Sequence, residues 1–324
     1  MQNNRRQFYI YDLEICAKKV GAIVPAMVDL IPVFQNMKDT GRTYGIRADS
    51  ATMLLGDIAV DNAQQLVSFL VRLSDKSAPN FVYSDPAAGQ FNVYAKAGDE
   101  GSDFGCHVVI STAPEQGFPN VYTCALERIT GLNSDLVRRL LSKLLNYQFH
   151  DDPTSFTYPH PAGGLNQQGL PRTERCCPHI ELRGRPSDTL IADINNGQIT
   201  GISLVKAELA TPIAGAAFLN KKESELRLQI DQNNLPANMW QSLLQAFQAN
   251  SGQYGAAKVS YKVPGVDRSV TVQINTANGH PLEEMYVTSF ELTNIHPFLD
   301  HSAMQIVGHL QALAIPQFLN HRTI

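Results

Sequence analysis

Residues 107–145, HVVISTAPEQGFPNVYTCALERITGLNSDLVRRLLSKLL, change periodicity part-way along. His107-Val108-Val109-Ile110 and Val121 to Leu126 are short β-branched and aromatic runs, and the turn formers Gly117, Pro119 and Asn120 lie between them, so both read as strands. From Asn133 or Ser134, residues suited to a helix N-cap, the apolar positions Leu136, Val137, Leu140, Leu141, Leu144 and Leu145 fall at helical spacing. Arg138, Arg139 and Lys143 are left on the outer side. Strands in hairpins with a covering helix predict an α+β protein, mainly antiparallel sheet in two lobes.

Upstream, MQNNRRQFYIYDLEI alternates Phe8 and Ile10 with polar Asp12 and Glu14, which reads as a first strand and not as the apolar core of a leader. Met53 to Val60 reads as a strand, and Asp61 then caps a helix carrying Leu66, Val67, Leu70 and Val71. Phe81-Val82-Tyr83 and Phe91 to Tyr94 join His107 to Ile110 in an antiparallel meander, parted by turns at Asp85 to Gly89 and Gly98 to Gly105.

Downstream, residues 148–178 become polar and rich in Pro, Gly, Gln and His, which predicts a linker or long surface loop. The expected division is an N-terminal domain over 1–149, a connection over 150–178 and a C-terminal domain over 179–324. In that second domain, strands at His179 to Arg183 and Ile199 to Val205 are expected to pair with Glu225 to Ile230. A helix from about Ala237 follows, then a hairpin of Lys258 to Val263 with Ser269 to Ile274 through Pro264-Gly265. A strand over Tyr286 to Leu292 leads to a last helix from His301 that Pro316 stops.

The composition is that of a globular chain: 324 residues, 44% hydrophobic, 17% charged. A net charge of −4, from 26 Lys plus Arg against 30 Asp plus Glu, argues against coating of nucleic acid by the whole surface and leaves room for a local basic face. Five scattered cysteines suit a reducing cytosol without disulfides, and no apolar run is long enough to span a bilayer.

Motifs that would announce chemistry are missing. The chain has no Walker or dinucleotide-binding glycine loop, no G-x-S-x-G elbow and no H-E-x-x-H. Gly98, Gly101 and Gly105 lie among Asp99, Glu100 and Asp103, which would repel phosphate. Cys106 and His107 are neighbours on a strand and point to opposite faces, so the imidazole cannot activate the thiol. Cys176, Cys177 and His179 with His160 are dense in soft ligands but lack the paired spacing of a zinc site. His296, His301, His309 and His321 crowd the C-terminus without the i, i+4 separation of a helical metal pair. Neither a cofactor nor a metal is expected.

The strongest charge feature is Arg172, Arg175, Arg183 and Arg185, four arginines in fourteen residues. Guanidinium forks suit phosphate, and Arg138, Arg139 and Lys143 would extend such a patch. The competing reading is a solvated surface with local ion pairs. A nuclease would need carboxylates and a lysine around a metal; Asp188, Asp193, Lys206 and Glu208 are the nearest material, with Lys206 and Glu208 in the wrong order.

Gly117-Phe118-Pro119-Asn120-Val121-Tyr122, with Ala125-Leu126-Glu127-Arg128, Gly131 and Ser134-Asp135-Leu136, resembles the RexA family of lambdoid phage exclusion proteins. Ile180-Glu181-Leu182-Arg183-Gly184-Arg185 with Ser187-Asp188-Thr189 is similar to the same family. The resemblance implies a cytoplasmic, DNA-associating sensor, dimeric, working in a two-component phage exclusion or antiviral defence system with a small membrane protein as partner. The expectation is therefore a non-enzymatic nucleic-acid-binding or partner-binding protein. A metal-dependent nuclease and an assembly protein of a phage-like particle are the alternatives.

Overall fold

The computed structural model describes residues 3–19, 21–213, 216–231, 233–263, 269–282 and 284–323, with side chains outside 209–221. In chain order the elements are β1 (Arg6–Ala17), α1 (Met27–Asp39), β2 (Thr43–Ile46), β3 (Ala51–Asp61), β4 (Leu66–Asp75), β5 (Phe81–Asp85), β6 (Gln90–Tyr94), β7 (Ser102–Ser111) and β8 (Val121–Glu127). Then follow α2 (Ser134–Asp151), β9 (Thr157–Pro159), β10 (Thr173–Arg175), β11 (Pro178–Gly184), α3 (Asp188–Asn196), β12 (Gln198–Ile213) and β13 (Ala216–Leu228). The last are α4 (Met239–Asn250), β14 (Ala256–Lys262), β15 (Ser269–Asn275), a 3-10 turn at Glu284–Tyr286, β16 (Ser289–Leu292) and α5 (Gly308–Leu319). The protein is α+β and mostly antiparallel sheet, as the sequence leads one to expect.

Two compact units divide the chain: Met1–Leu182 with Phe290–Ile324, and Arg183–Ser289. The first is built on an eight-stranded sheet ordered β11-β1-β8-β7-β4-β3-β2, with β16 also on β1. Both of its faces are covered. On one, Phe34 of α1 meets Phe69 of β4 edge-on at 5.2 Å between ring centroids. On the other, Leu310, Ala314 and Phe318 of α5 pack with Phe8, Ile10, Leu66, Val109 and Ala125, and Gln311 donates to the Ser68 hydroxyl at 2.7 Å. Strand side chains alternate, so Ser68 and Phe69 face opposite layers.

That double burial explains why residues 61–74 form no helix. Leu66 to Val71 is buried at every position because each face of β4 has its own cover. A continuous apolar run lacks period-2 alternation, and its spacing is equally compatible with a buried helix. The two-strand pairing is unambiguous, with Ile58 opposite Phe69 on β3 and Val108 opposite Phe69 on β7.

Several other expectations are corrected. β5 and β6 form a separate two-stranded ribbon inserted between β4 and β7, so the three runs make no single meander. β7 begins at Ser102, inside the expected turn. Residues 150–178 lie within the first unit: α2 continues to Asp151, β9 and β10 pair, and Phe156 and Cys176 are buried. The crossings between units fall instead inside β11 and at β16. β11 joins the sheet through β1 and does not pair with β12 or β13. The last helix starts at Gly308 and carries Pro316 inside it. α1 and α3 were not anticipated; Pro32 sits inside α1.

The second unit is a four-stranded antiparallel sheet, β13-β12-β14-β15. Ala257, Val259 and Tyr261 of β14 point to one face, where Leu190 and Ile194 of α3 and Trp240, Leu243 and Phe247 of α4 complete a core. β12–β13 pairing and the β14–β15 hairpin follow the expected strands. The expected turn at Pro264-Gly265 lies outside the described residues.

Candidate nucleic-acid interface

α2 carries the candidate surface of the first unit. Asn133 caps it, its side-chain oxygen accepting from the Leu136 amide at 2.9 Å, and Val137, Leu140, Leu141, Leu144 and Leu145 bury one stripe. Ser142, on the inner flank, exchanges hydrogen bonds with Ile180 of β11. The remaining positions 139, 143, 147 and 150 then fall near one outer line, since residues three and four apart share a helix face. They are Arg139, Lys143, Tyr147 and His150.

Each expected cation has a definite place. Arg138 is half-buried and donates to Asp135 at 2.7 Å, with Glu181 at 3.4 Å. Arg139 is exposed and reaches the other Asp135 oxygen at 2.7 Å. Burial alone would raise the Asp135 carboxyl, and hydrogen bonds and charge from Arg138 and Arg139 outweigh it and hold the group below its ordinary range. Lys143 lies 4.8 Å from the centroid of the Tyr147 ring.

Arg175 acts within the fold. Its guanidinium lies 3.9 Å over Phe149 and donates to the backbone oxygens of Asp152 at 2.8 Å and Ser155 at 3.1 Å. These carbonyls belong to the C-cap of α2 and to the turn beyond it, so Arg175 ties the helix end to that turn. Arg172 is exposed and lies just before β10. Lys19 hydrogen-bonds Glu174, which lowers that carboxyl, and the Arg172 charge adds a smaller part. Arg183 and Arg185 are half-buried residues of the second unit, and neither is without a partner. The structure thus brings Arg138, Arg139 and Lys143 together on α2 and sets Arg175 at its end.

Sequence reasoning missed Arg42 and Tyr147. Arg42 pairs with Asp151 and lies 5.6 Å from the Tyr147 centroid, so that ring has two cations about it. The Tyr147 hydroxyl donates to the Thr43 carbonyl at 3.1 Å. An open depression of about 430 Å³ is lined by Thr40, Gly41, Arg42, Thr43 and Tyr147. The Lys143–Tyr147 spacing was visible as an i, i+4 pair; the arrival of Arg42 beside them was not, because it depends on α1 ending next to α2.

The other chemistry-bearing cluster is buried in the sheet. Arg6 Nε lies 2.7 Å from one Glu127 oxygen, and the other oxygen is 2.7 Å from His107 Nδ1. His107 Nε2 accepts from the Val307 amide at 3.1 Å, which sets the neutral Nδ1–H form. Cys106 turns the other way and donates to the Glu127 backbone oxygen at 3.1 Å, and burial pushes its thiol well up. Both imidazole nitrogens are engaged and the thiol is protonated, so this is a clasp for the segment entering α5. A cavity of about 100 Å³ lies beside it.

The residues weighed for a nuclease come from two elements of the second unit, α3 and β12. Asp188 and Asp193 lie on α3, while Glu208 of β12 accepts from the Ser224 hydroxyl at 2.7 Å. Among the described residues no three His, Cys, Asp or Glu side chains are grouped as metal ligands. Cys176 is buried, and Cys177 is near Asn146 at 3.9 Å. No helix among the described residues is long and apolar enough to cross a membrane. The fold and this helix face define an α+β protein of two units with a cationic, aromatic-backed surface on the larger. No family model, curated protein or solved structure matches the chain.

Proposed function

We propose that the first unit binds the sugar-phosphate backbone of a nucleic acid along the outer face of α2, as a non-enzymatic sensor in a bacterial phage exclusion or antiviral defence system. The observation that carries this reading is the line Arg139, Lys143 and Tyr147, with Arg42 on the same ring. The Tyr147 ring behind Lys143 supports that cation without neutralising it, as a carboxylate would. The defence setting rests on the resemblance of residues 117–136 and 180–189 to phage exclusion proteins. Arg172, and Arg183 with Arg185 on the second unit, are further candidates for phosphate contact.

The reading fits a chain of net charge −4 because it needs a local face only. A fluorescent DNA duplex and a single strand titrated at low salt test it. Replacing Arg139, Lys143 and Arg172 by alanine is expected to weaken binding at least about tenfold, equal to about 1.4 kcal/mol. Wild-type protein that retains neither nucleic acid contradicts the proposal. Metal-dependent cleavage of the probe would move the function to the nuclease class.

A further inference from the structure

The β5–β6 ribbon is unlike the rest of the first unit. Phe81, Val82, Tyr83, Phe91, Val93 and Tyr94 are 37 to 70% exposed, on both sides of the ribbon. A two-stranded hairpin alone is marginal in water, yet its root is well built. Lys96 Nζ donates to the backbone oxygens of Asp75, Lys76 and Ala78, the Ser102 hydroxyl donates to Pro79 at 3.1 Å, and Phe81 stacks on His301 with 6.0 Å between centroids. The apolar arm is therefore held out by a fixed base.

We propose that β6 is a self-association edge that pairs antiparallel with β6 of a second copy of this chain. Among the described residues β6 pairs only with β5. Edges that must stay single carry charges, proline or a bulge. β6, Gln90-Phe91-Asn92-Val93-Tyr94, has none of these. Asp85, the only charge from Phe81 to Tyr94, sits on β5. A ribbon of charge −1 has nothing to offer a nucleic-acid backbone, whereas an identical uncharged edge is self-complementary under a two-fold axis.

The register follows from the hairpin. Val82 lies opposite Val93, and Ser84 opposite Phe91, so Val82, Val93 and Phe91 share one face. Centring the two-fold on Asn92 sets Phe91 of one copy opposite Val93 of the other. Phe91 and Val93 of both copies then sit side by side on one face, with Val82 of each copy beside Val93. The pairing joins the free backbone edges of the two β6 strands and sets the flanks of Phe91 and Val93 against those of the second copy.

Sedimentation velocity over a concentration series tests the inference, which is independent of nucleic-acid binding. Wild-type protein is expected as a dimer and Phe91→Lys with Val93→Lys as a monomer with an unchanged circular dichroism spectrum. Asn92→Cys should give a disulfide-linked dimer on mild oxidation, since antiparallel partners lie within disulfide reach; Ser84→Cys, on the outer strand, should not. A wild-type monomer at about 100 µM, far above the micromolar range of a functional interface, overturns the proposal. So does a lysine variant that still dimerises, or one whose only defect is loss of nucleic-acid binding.

Discussion

The Arg6–Glu127–His107 clasp and the outer line of α2 use the same kinds of side chain to opposite ends. In the clasp, Glu127 is 2% exposed, and its oxygens and the imidazole nitrogens all face partners. On α2, Arg139 shares one carboxylate with Arg138, and Lys143 rests on a ring that takes no charge from it. Closure makes the first cluster part of the fold, and incompleteness makes the second available to a ligand. Charge alone does not mark a binding surface; unspent charge does.

Breaking the clasp should have the largest effect. Glu127→Gln leaves the Arg6 guanidinium buried without its counter-charge, and a loss of about 3–5 kcal/mol in denaturant unfolding is expected. His107→Leu removes one donor to Glu127 and leaves the Val307 amide without its acceptor, costing about 1–3 kcal/mol. If either variant is as stable as wild type, the clasp is not structural.

The α2 variants sharpen the other side of the contrast. Asn133→Ala, which removes the cap that starts the helix, is expected to cost about 1 kcal/mol. Arg139→Ala and Lys143→Ala should stay within about 0.5 kcal/mol of wild type, because surface substitutions away from packed groups do little. A larger stability loss at Lys143 would make it a packing residue and weaken its assignment to the interface.

The smallest effect is in pH dependence. Asp135 is held below its ordinary range in the folded chain, so its contribution to stability is present above about pH 4, the unfolded carboxylate value. It is lost as pH falls through the depressed folded value. Arg139→Ala should flatten the fall in melting temperature between about pH 4 and pH 2. An unchanged pH profile would mean that Arg138 alone sets this carboxyl.

Legibility in the sequence follows burial. β14 and β15 alternate because only one face of their sheet is covered in the second unit, and they were readable to within a residue or two. β4 was unreadable as a strand because α1 and α5 cover its two faces, which erases alternation. α2 was legible from Asn133 onward because one side is apolar and the other charged. The residues 150–178 looked like a linker since they are polar, yet Phe156 and Cys176 anchor them. Of the arginine cluster, Arg175 proved to be a helix clamp, a role set by Phe149 and two carbonyls that spacing cannot reveal.

In the proposed function the outer line of α2 contacts phosphate. The most direct test is the slope of log binding constant against log salt for a DNA duplex, with wild-type protein and Arg139→Ala/Lys143→Ala compared. Each lost phosphate contact should reduce the magnitude of the slope by about 0.9. The double variant is expected to show a slope shallower by about 2 with unchanged thermal unfolding. Equal slopes for the two proteins would contradict it.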